Sequence, residues 1–187
     1  MGDFTTEVFH FLLSNITSVK RQKPKRRFEM ENTKLRTQAE VNEFAGTSIK
    51  GDLTIEGSDI SDLSPLSALT FVGGDLVIWH NSALTNLEGL RNITSVGGEL
   101  WIEGNPSLTN LDGLSNLTSV GENLVIRHNP ALVNLDGLSN ITSVSGYLCI
   151  DRNPSPTNFN GLCKITGNKI KNFREKLLNI KDIFRIF

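Results

Sequence analysis

The chain has 187 residues and a formal net charge of −1, but its charges are unevenly distributed. Residues 41–163 carry 4 Lys/Arg against 13 Asp/Glu, whereas both ends of the chain are basic. An acidic middle argues against a nucleic-acid-binding body, because phosphate neutralisation needs clustered basic side chains on the folded surface. The two cysteines, Cys149 and Cys163, are too few for a disulfide-stapled mini-domain. They also occupy non-equivalent positions of the repeat described below, which argues against a bridge.

Residues 1–36 form a basic segment that we predict to be poorly ordered. Its short apolar stretch at 8–13 is followed by the basic cluster at 20–27, which is the reverse order of a secretory leader. No apolar run in the chain is long enough to cross a bilayer. The sequence therefore contains no predicted signal peptide or transmembrane segment, and it leaves the compartment of the protein unknown.

A short helix is predicted where the ordered part of the chain begins. Thr37 and Glu40 have the spacing of a capping box. In this motif each of the two side chains accepts a hydrogen bond from the backbone N–H of the other residue. Val41 and Phe44 follow on one side of the predicted helix. We therefore predict a helical lid at 38–45 that covers the first apolar edge of the domain behind it.

Five copies of one sequence unit follow the predicted lid. Two of them read GGDLVIWHNSALTNLEGLRNITSV and GGELWIEGNPSLTNLDGLSNLTSV. The copies span 50–72, 73–96, 97–120, 121–144 and 145–168, with a period of 24 residues and a first copy that is one residue shorter. One copy has too few aliphatic side chains to offset its own ordering entropy, whereas stacked copies cover each other's apolar edges. Residues 37–168 are therefore predicted to form a solenoid.

Each copy begins with an alternating pattern that predicts a short strand. In the second copy Leu76 and Ile78 point inward, and equivalent residues of the other copies line up beside them in one parallel sheet. The later aliphatic residues recur every third position, which fits a chain that bends repeatedly around a narrow core. Few helices are expected apart from terminal caps. Paired glycines before each strand, such as Gly97 and Gly98, predict tight or left-handed backbone.

An asparagine follows the strand at the same offset in four copies. These residues are Asn81, Asn105, Asn129 and Asn153. The chain leaves the sheet at this point and exposes backbone groups, which an amide side chain can satisfy. The sequence predicts a structural ladder of asparagines.

The outward positions of the strands carry every Trp and Tyr of the chain. Trp79 and Trp101 fall on neighbouring strands, with Glu103, Arg127 and Tyr147 also in outward positions. Exposed aromatic side chains flanked by charges are typical of recognition surfaces. We therefore predict a solvent-exposed binding patch on this sheet face. Scattered surface aromatics that only cover the strands are the alternative.

The last predicted element is a basic amphipathic helix at 169–187. Ile170, Phe173, Leu177, Ile180 and Phe184 recur at steps of three and four residues, and the opposite face is rich in Lys and Arg. Two interpretations stay open. The helix caps the last copy of the solenoid, or it lies on a membrane surface.

The motif Leu-x-Ile-x-x-Asn matches the leucine-rich-repeat consensus. The whole unit resembles the receptor L-domain-like repeats of bacterial surface proteins. ISDLSPL at 60–66 is similar to internalin-type repeats, and 37–44 is similar to the lead-in that such proteins carry. The resemblance covers residues 37–166. It implies a right-handed solenoid, a cell-surface or extracellular setting, and a role in adhesion or recognition.

These patterns indicate a non-enzymatic scaffold that binds a protein or glycan partner, without cofactor or metal. No nucleophile elbow, phosphate loop or metalloprotease motif occurs. His80 and His128 share a repeat position two copies apart, too far for a common zinc ion. Two alternatives come from other classes. One is a polysaccharide-acting β-helix enzyme, and the other is an ice- or crystal-binding solenoid, suggested by the column Thr94, Thr118, Thr142 and Thr166.

Overall fold

A computed structural model of the chain describes residues 29–153, 160–162, 164–165 and 169–170. Within these residues the single α-helix, α1, spans Gln38–Glu43, and almost all other regular structure is short strands. The strands, in chain order, are β1 (Glu29–Met30), β2 (Thr33–Leu35), β3 (Ser48–Ile49), β4 (Leu53–Ile55), β5 (Phe71–Val72), β6 (Leu76–Trp79), β7 (Ser95–Val96), β8 (Leu100–Glu103), β9 (Ser119–Val120), β10 (Leu124–Arg127), β11 (Ser143–Val144), β12 (Tyr147–Asp151) and β13 (Lys169–Ile170).

The strands of the described residues form two parallel sheets. The larger sheet has the order β2-β4-β6-β8-β10-β12-β13, and the smaller has the order β1-β3-β5-β7-β9-β11. The predicted parallel strands and scarcity of helices are confirmed, and the arrangement is compatible with a repeat solenoid. The expectation of one sheet was wrong. A Ser-Val pair near the end of most copies also runs extended beside its equivalents, for example Ser95–Val96 beside Ser119–Val120. A two-residue strand leaves no alternation in the sequence from which to predict it.

Residues one period apart face each other across the larger sheet. Leu76 pairs with Leu100, Leu100 with Leu124, and Leu124 with Leu148. The first three of these leucines are fully buried, and Leu148 is 3% exposed. Since the side chains of a strand alternate between its faces, the residues between the buried columns point to the opposite face.

The segments between the two sheets bend through short 3₁₀ turns. These turns span Ser64–Ala68, Glu88–Leu90, Asp112–Leu114, Asp136–Leu138 and Asn160–Leu162. In the central copy, Leu111 directly precedes the turn and Leu114 is its last residue, and both are fully buried. The aliphatic residues at every third position are therefore the inward side chains of these turns and of the chain around them.

Glycines allow successive copies to approach closely, and this role differs from the predicted one. A Cβ atom on Gly97 would lie 2.1 Å from the Gly73 carbonyl oxygen, and one on Gly113 would lie 1.8 Å from that of Leu87. Among the described glycines only Gly104 has a positive φ. The prediction of left-handed backbone at the paired glycines was wrong, because the space between backbones, not the backbone angle, excludes a side chain there.

The predicted asparagine ladder is present as a chain of hydrogen bonds. Its members are Asn81, Asn105, Asn129 and Asn153, of which the first three are fully buried. Asn105 Nδ2 donates to the Ile78 carbonyl oxygen of the preceding copy at 2.9 Å. The Asn105 backbone N–H donates to Asn129 Oδ1 of the next copy at 3.0 Å. Each amide therefore satisfies backbone groups where the chain leaves the larger sheet.

The start of the described chain differs from the prediction for residues 1–36. β1 and β2 pair with β3 and β4, so ordered structure begins before the helix. α1 starts at the predicted cap, where the Thr37 side chain accepts from Glu40 N at 3.2 Å. It ends at Glu43 and not at residue 45, because Phe44 adopts an extended conformation. Residues 1–28 lie outside the described part of the chain.

The other end also differs from the predicted helix at 169–187. Lys169 and Ile170 form β13 and pair with Tyr147 and Leu148 of β12, so the chain is extended there. Residues 171–187 lie outside the described residues, as do Cys163 and Thr166. Cys149 is a buried free thiol. Within the described residues, no helix is both long and apolar enough to cross a membrane.

Candidate functional site

The candidate site lies at the carboxyl ends of the strands of the larger sheet. One row holds the residue that follows the buried isoleucine of β4, β6, β8, β10 and β12. Its members are Glu56, Trp79, Glu103, Arg127 and Asp151. We call it the outward row. The next residues in copies two to five all have a positive φ: His80, Gly104, His128 and Arg152. We call these the positive-φ row, and the two rows together the outer edge.

Glu103 is the centre of a side-chain cluster on β8 and β10. Its carboxylate accepts a hydrogen bond from Trp101 Nε1 at 2.6 Å and lies 3.0 Å from Arg127 Nε. The Arg127 guanidinium lies over the Trp101 ring, with Cζ 4.8 Å from the ring centroid, which is cation–π geometry. His128 Nδ1 lies 3.3 Å from the same carboxylate. Four side chains from two neighbouring strands therefore hold one another in place.

The surroundings of Glu103 keep it ionised. Burial raises the pKa of the Glu103 carboxyl, but hydrogen bonds from Arg127 and Trp101, the charge of Arg127 and the contact with His128 together outweigh it. The net result is a pKa of Glu103 below its ordinary value. A carboxylate that holds its charge and is surrounded by donors orients its neighbours, whereas a general acid needs a raised pKa.

His128 and Arg152 extend this cluster to β12. Arg152 Nη1 lies 3.0 Å from His128 Nε2, and Arg152 Nε lies 3.6 Å from Asp151 Oδ2. Because a guanidinium can only donate, Nε2 of His128 is the acceptor and the ring hydrogen lies on Nδ1, which faces Glu103. The contacts on both sides therefore fix the orientation of the imidazole ring.

A second, smaller group lies at the other end of the outer edge. Lys34 Nζ on β2 lies 2.6 Å from Glu56 Oε2. The hydrogen bond from Lys34 is the main cause that lowers the pKa of Glu56, and it is opposed by burial and assisted by the Trp79 indole and the Arg36 charge. The Trp79 and His80 rings are tilted neighbours, with centroids 5.3 Å apart.

The positive-φ row contains three strained residues. His80, His128 and Arg152 have φ values of 57°, 55° and 52°, in the left-handed region that glycine adopts without strain. Gly104 occupies the same position with a φ of 65°. A non-glycine residue held in this region costs about 1–3 kcal/mol. Three copies therefore keep large polar side chains at a position where glycine is the relaxed choice.

Two shallow depressions lie on the outer edge. The first is lined by Lys34, Arg36, Glu56, Gly57, Ser58 and His80. The second is lined by Gly104, Pro106, His128, Pro130 and Arg152. Both are open to solvent, and each contains basic or imidazole side chains. Neither of them encloses a cavity.

The structure brings some of the predicted patch residues together and separates others. Trp101, Glu103 and Arg127 are in mutual contact, and Trp79 pairs with Glu103 across β6 and β8. Tyr147 lies at the opposite end of β12, where its N–H donates to Asn123 Oδ1, so it is not part of the outer edge.

Trp79 and Trp101 were predicted to be solvent-exposed, and they are less exposed than this prediction implies. Both residues are half-buried. Trp101 lies under the Arg127 guanidinium and donates to Glu103, and the Trp79 Nε1 atom is buried. The outward direction of a strand position does not make it accessible, because long side chains of neighbouring strands fold over it.

Sequence reasoning missed His128 and Arg152 as members of the site. Within the described part of the chain, no group of three or more side chains is placed to hold a metal ion. The sequence held one usable indication. One repeat position is filled by His, Gly, His and Arg in turn, and glycine at such a position is typical of positive φ.

Comparison of the chain with protein-family models, with curated proteins and with solved structures found no match.

Proposed function

We propose that this protein is a non-enzymatic binding scaffold, a right-handed leucine-rich-repeat-type solenoid that recognises a protein or glycan through its outer edge. The resemblance of its repeats to those of bacterial surface proteins supports a role in adhesion or recognition at a cell surface. The five repeat copies and the strand register one period apart support the solenoid.

The strained positive-φ row is the observation that carries the proposal. His80, His128 and Arg152 cost conformational energy where glycine would not, and they lie in one row at one edge of the sheet, with Gly104 between His80 and His128. Strain of this kind persists where the side chain has another use. Imidazole and guanidinium groups on a rigid edge are suited to contact a polar partner.

The electrostatics of the outer edge favour binding over catalysis. Glycoside hydrolysis needs one carboxyl group with a raised pKa that acts as general acid. The pKa values of Glu56 and Glu103 are both lowered, which is the opposite shift. For this reason we prefer the scaffold to the polysaccharide-cleaving alternative.

The threonine column gives little support to the ice-binding alternative. Thr118 Oγ1 donates to the Thr94 carbonyl oxygen at 3.0 Å, and Thr142 Oγ1 donates to that of Thr118 at 3.4 Å. Because these hydroxyl groups bond the neighbouring copy, a structural role already accounts for their repetition.

A glycine triple variant tests the proposed function. The change is His80→Gly, His128→Gly and Arg152→Gly, which removes the side chains of the positive-φ row and relieves their backbone strain. We expect the wild-type chain to bind members of an array of purified glycans and proteins, and the triple variant to lose that binding. Its melting temperature should stay within a few degrees of wild type, because relief of strain offsets the lost contacts.

The matched control is Gly104→Ala in the same row. A Cβ there would lie 2.8 Å from His80 Cδ2 at a φ of 65°, so this variant should lose stability. We expect destabilisation by about 1–2 kcal/mol for an L-residue in this conformation. A triple variant that retains every wild-type ligand with unchanged affinity would contradict the proposed function.

A further inference from the structure

The basic partner of each ion pair on the described outer edge is more exposed than its acidic partner. The Arg152 side chain is 69% exposed against 25% for Asp151, and Arg127 is 37% exposed against 15% for Glu103. Lys34 is slightly more exposed than Glu56. At the Arg127 and Arg152 pairs the guanidinium side chains are therefore more accessible to an approaching molecule than the carboxylates, whereas Lys34 and Glu56 are exposed to similar extents.

The basic side chains of the outer edge stand out against the acidic composition of residues 41–163. Of the four Lys/Arg in residues 41–163, Arg127 and Arg152 lie on the outer edge, and Lys34 and Arg36 adjoin it from β2 and the residue after it. The same residues 41–163 contain 13 Asp/Glu. The edge also holds the carboxylates of Glu56, Glu103 and Asp151, so its four cations exceed its anions by one, whereas residues 41–163 as a whole have nine more anions than cations. This contrast favours anionic groups at the edge over the rest of the surface.

The outer edge exposes its one indole, that of Trp79, only in part, because this side chain is half-buried. Among the described residues, the exposed large hydrophobic side chains are Phe71 and Val133. Phe71 belongs to β5 of the smaller sheet, and Val133 lies beyond the end of β10, outside the outer edge. Protein interfaces usually bury aromatic or aliphatic anchors at their centre. The shallow outer edge, which has only Pro106 and Pro130 as apolar surface in its second depression, fits a thin chain better than a bulky apolar anchor.

From these observations we infer that the ligand of the outer edge is an acidic glycan, a polysaccharide that carries carboxylate or sulfate groups. The inference rests on the proposed function and names its ligand class. Arg152 Nη1 contacts His128 and its Nε lies 3.6 Å from Asp151 Oδ2, so Nη2 is the nitrogen best placed to donate to an oxygen of a carboxylate or sulfate.

The two depressions give an extended glycan two points of attachment. Arg152 and His128 serve one of them and Lys34 serves the other. Lys34 lies on β2 and Arg152 follows directly after β12, five strands away, which is roughly 24 Å at the usual strand spacing. Pro106 and Pro130 provide apolar surface in the second depression, against which a sugar ring can lie. A chain of several sugar units spans both depressions.

Binding to immobilised polysaccharides tests the inference. The probes are polygalacturonate, dextran sulfate, neutral dextran and poly-L-glutamate, each measured by surface plasmon resonance at low and at physiological salt. We expect polygalacturonate, dextran sulfate or both to bind in a salt-dependent way, and neutral dextran and poly-L-glutamate to bind far more weakly. His128→Gln with Arg152→Gln should weaken acidic-glycan binding by about tenfold or more, since two contacts to the anion are lost.

Two further variants keep this result interpretable. Lys34→Gln should weaken binding at the other depression, and Arg91→Gln removes an exposed cation near the 3₁₀ turns and should leave binding unchanged. The inference would be overturned if poly-L-glutamate bound as strongly as the acidic polysaccharides. It would also be overturned if the outer-edge variants bound acidic polysaccharides as strongly as the wild type does. If neutral glycans or proteins bind instead and the glycine triple variant loses them, the acidic-glycan inference fails while the proposed function stands. If the glycine triple variant binds every ligand as strongly as the wild type does, both the inference and the proposed function fail.

Discussion

At the scale of the residue, Asn105 connects three successive copies of the chain. Its side chain accepts from Asn81 N at 3.1 Å and donates to Ile78 O at 2.9 Å, while its own N–H donates to Asn129 Oδ1. It also donates to the Glu103 carbonyl oxygen two residues earlier. Because Asn105 is fully buried, no water replaces these partners when the amide is removed.

Asn105→Ala is therefore expected to lower the free energy of unfolding. Removing one partner of a buried hydrogen bond costs about 1–3 kcal/mol, and several buried groups lose their partner here. Chemical denaturation with circular dichroism measures the change. Glu122→Ala is the matched control, because Glu122 is exposed and its substitution should change stability by less than about 0.5 kcal/mol. Equal stability of the two variants would show that the ladder is dispensable.

The lowered pKa of Glu103 predicts how the stability of the protein depends on pH. Its pKa is lowered in the folded protein, so folding favours the carboxylate. Its contribution is fully present above the unfolded pKa of about 4.3 and is lost as the pH falls through the lower folded pKa. Melting temperatures measured from neutral to acidic pH should therefore fall less steeply in Glu103→Gln than in the wild type. Parallel melting curves for the two proteins would contradict this prediction.

At the scale of the element, the 3₁₀ turns set how closely the copies stack. Gly113 lies in the turn Asp112–Leu114 and contacts the backbone of the preceding copy, where a Cβ would be 1.8 Å from the Leu87 carbonyl oxygen. Gly89 and Gly137 make the same approach in neighbouring copies. Backbone is the obstacle in each case, so a rotamer change cannot relieve the overlap.

Gly113→Ala should destabilise the fold, although alanine usually favours helical backbone. Forcing one methyl group into closely packed structure costs about 1–3 kcal/mol, and rigid backbone on the other side places this site toward the upper end. Thermal melts measure the loss. Ser115→Ala is the control, because Ser115 ends the same turn and its side chain is half-buried. A Gly113→Ala protein as stable as this control would mean that successive turns separate easily.

At the scale of the whole molecule, each copy is covered by its neighbours. Strands β6, β8, β10 and β12 pair in order with equivalent residues opposed, so the same surface recurs along the stack. In such an arrangement the stability is close to a sum over copies and the interfaces between them.

Deletion of residues 97–120 tests this modular stacking. The deletion removes one period, and Leu76 can then pair with Leu124 as it now pairs with Leu100. We expect a folded protein with the same type of circular dichroism spectrum and a lower melting temperature. Deletion of residues 97–108 removes only half a period and shifts the buried columns out of register, so it should not fold cooperatively. Cooperative melting of the half-period deletion would contradict the stacked arrangement.

Features that depend on identical residues at a constant spacing could be predicted from the sequence alone. The columns of Leu76 and Ile78, the parallel pairing and the asparagine ladder are of this kind. A repeat presents the same residue at the same place in every copy, so one local pattern determines all of its contacts. The cap at Thr37 was also predictable, because a capping box involves residues only three positions apart.

Features that depend on how the copies differ were decided by the tertiary structure. Glu103 belongs to a cluster because Trp101, Arg127 and His128 come from two different copies and converge on one carboxylate. Their distances depend on the strand spacing and on the direction of each side chain, and neither is a property of one copy. The second sheet, with strands of only two residues such as Ser95–Val96, has the same origin. Its short strands exist only because the neighbouring copies supply their hydrogen-bond partners.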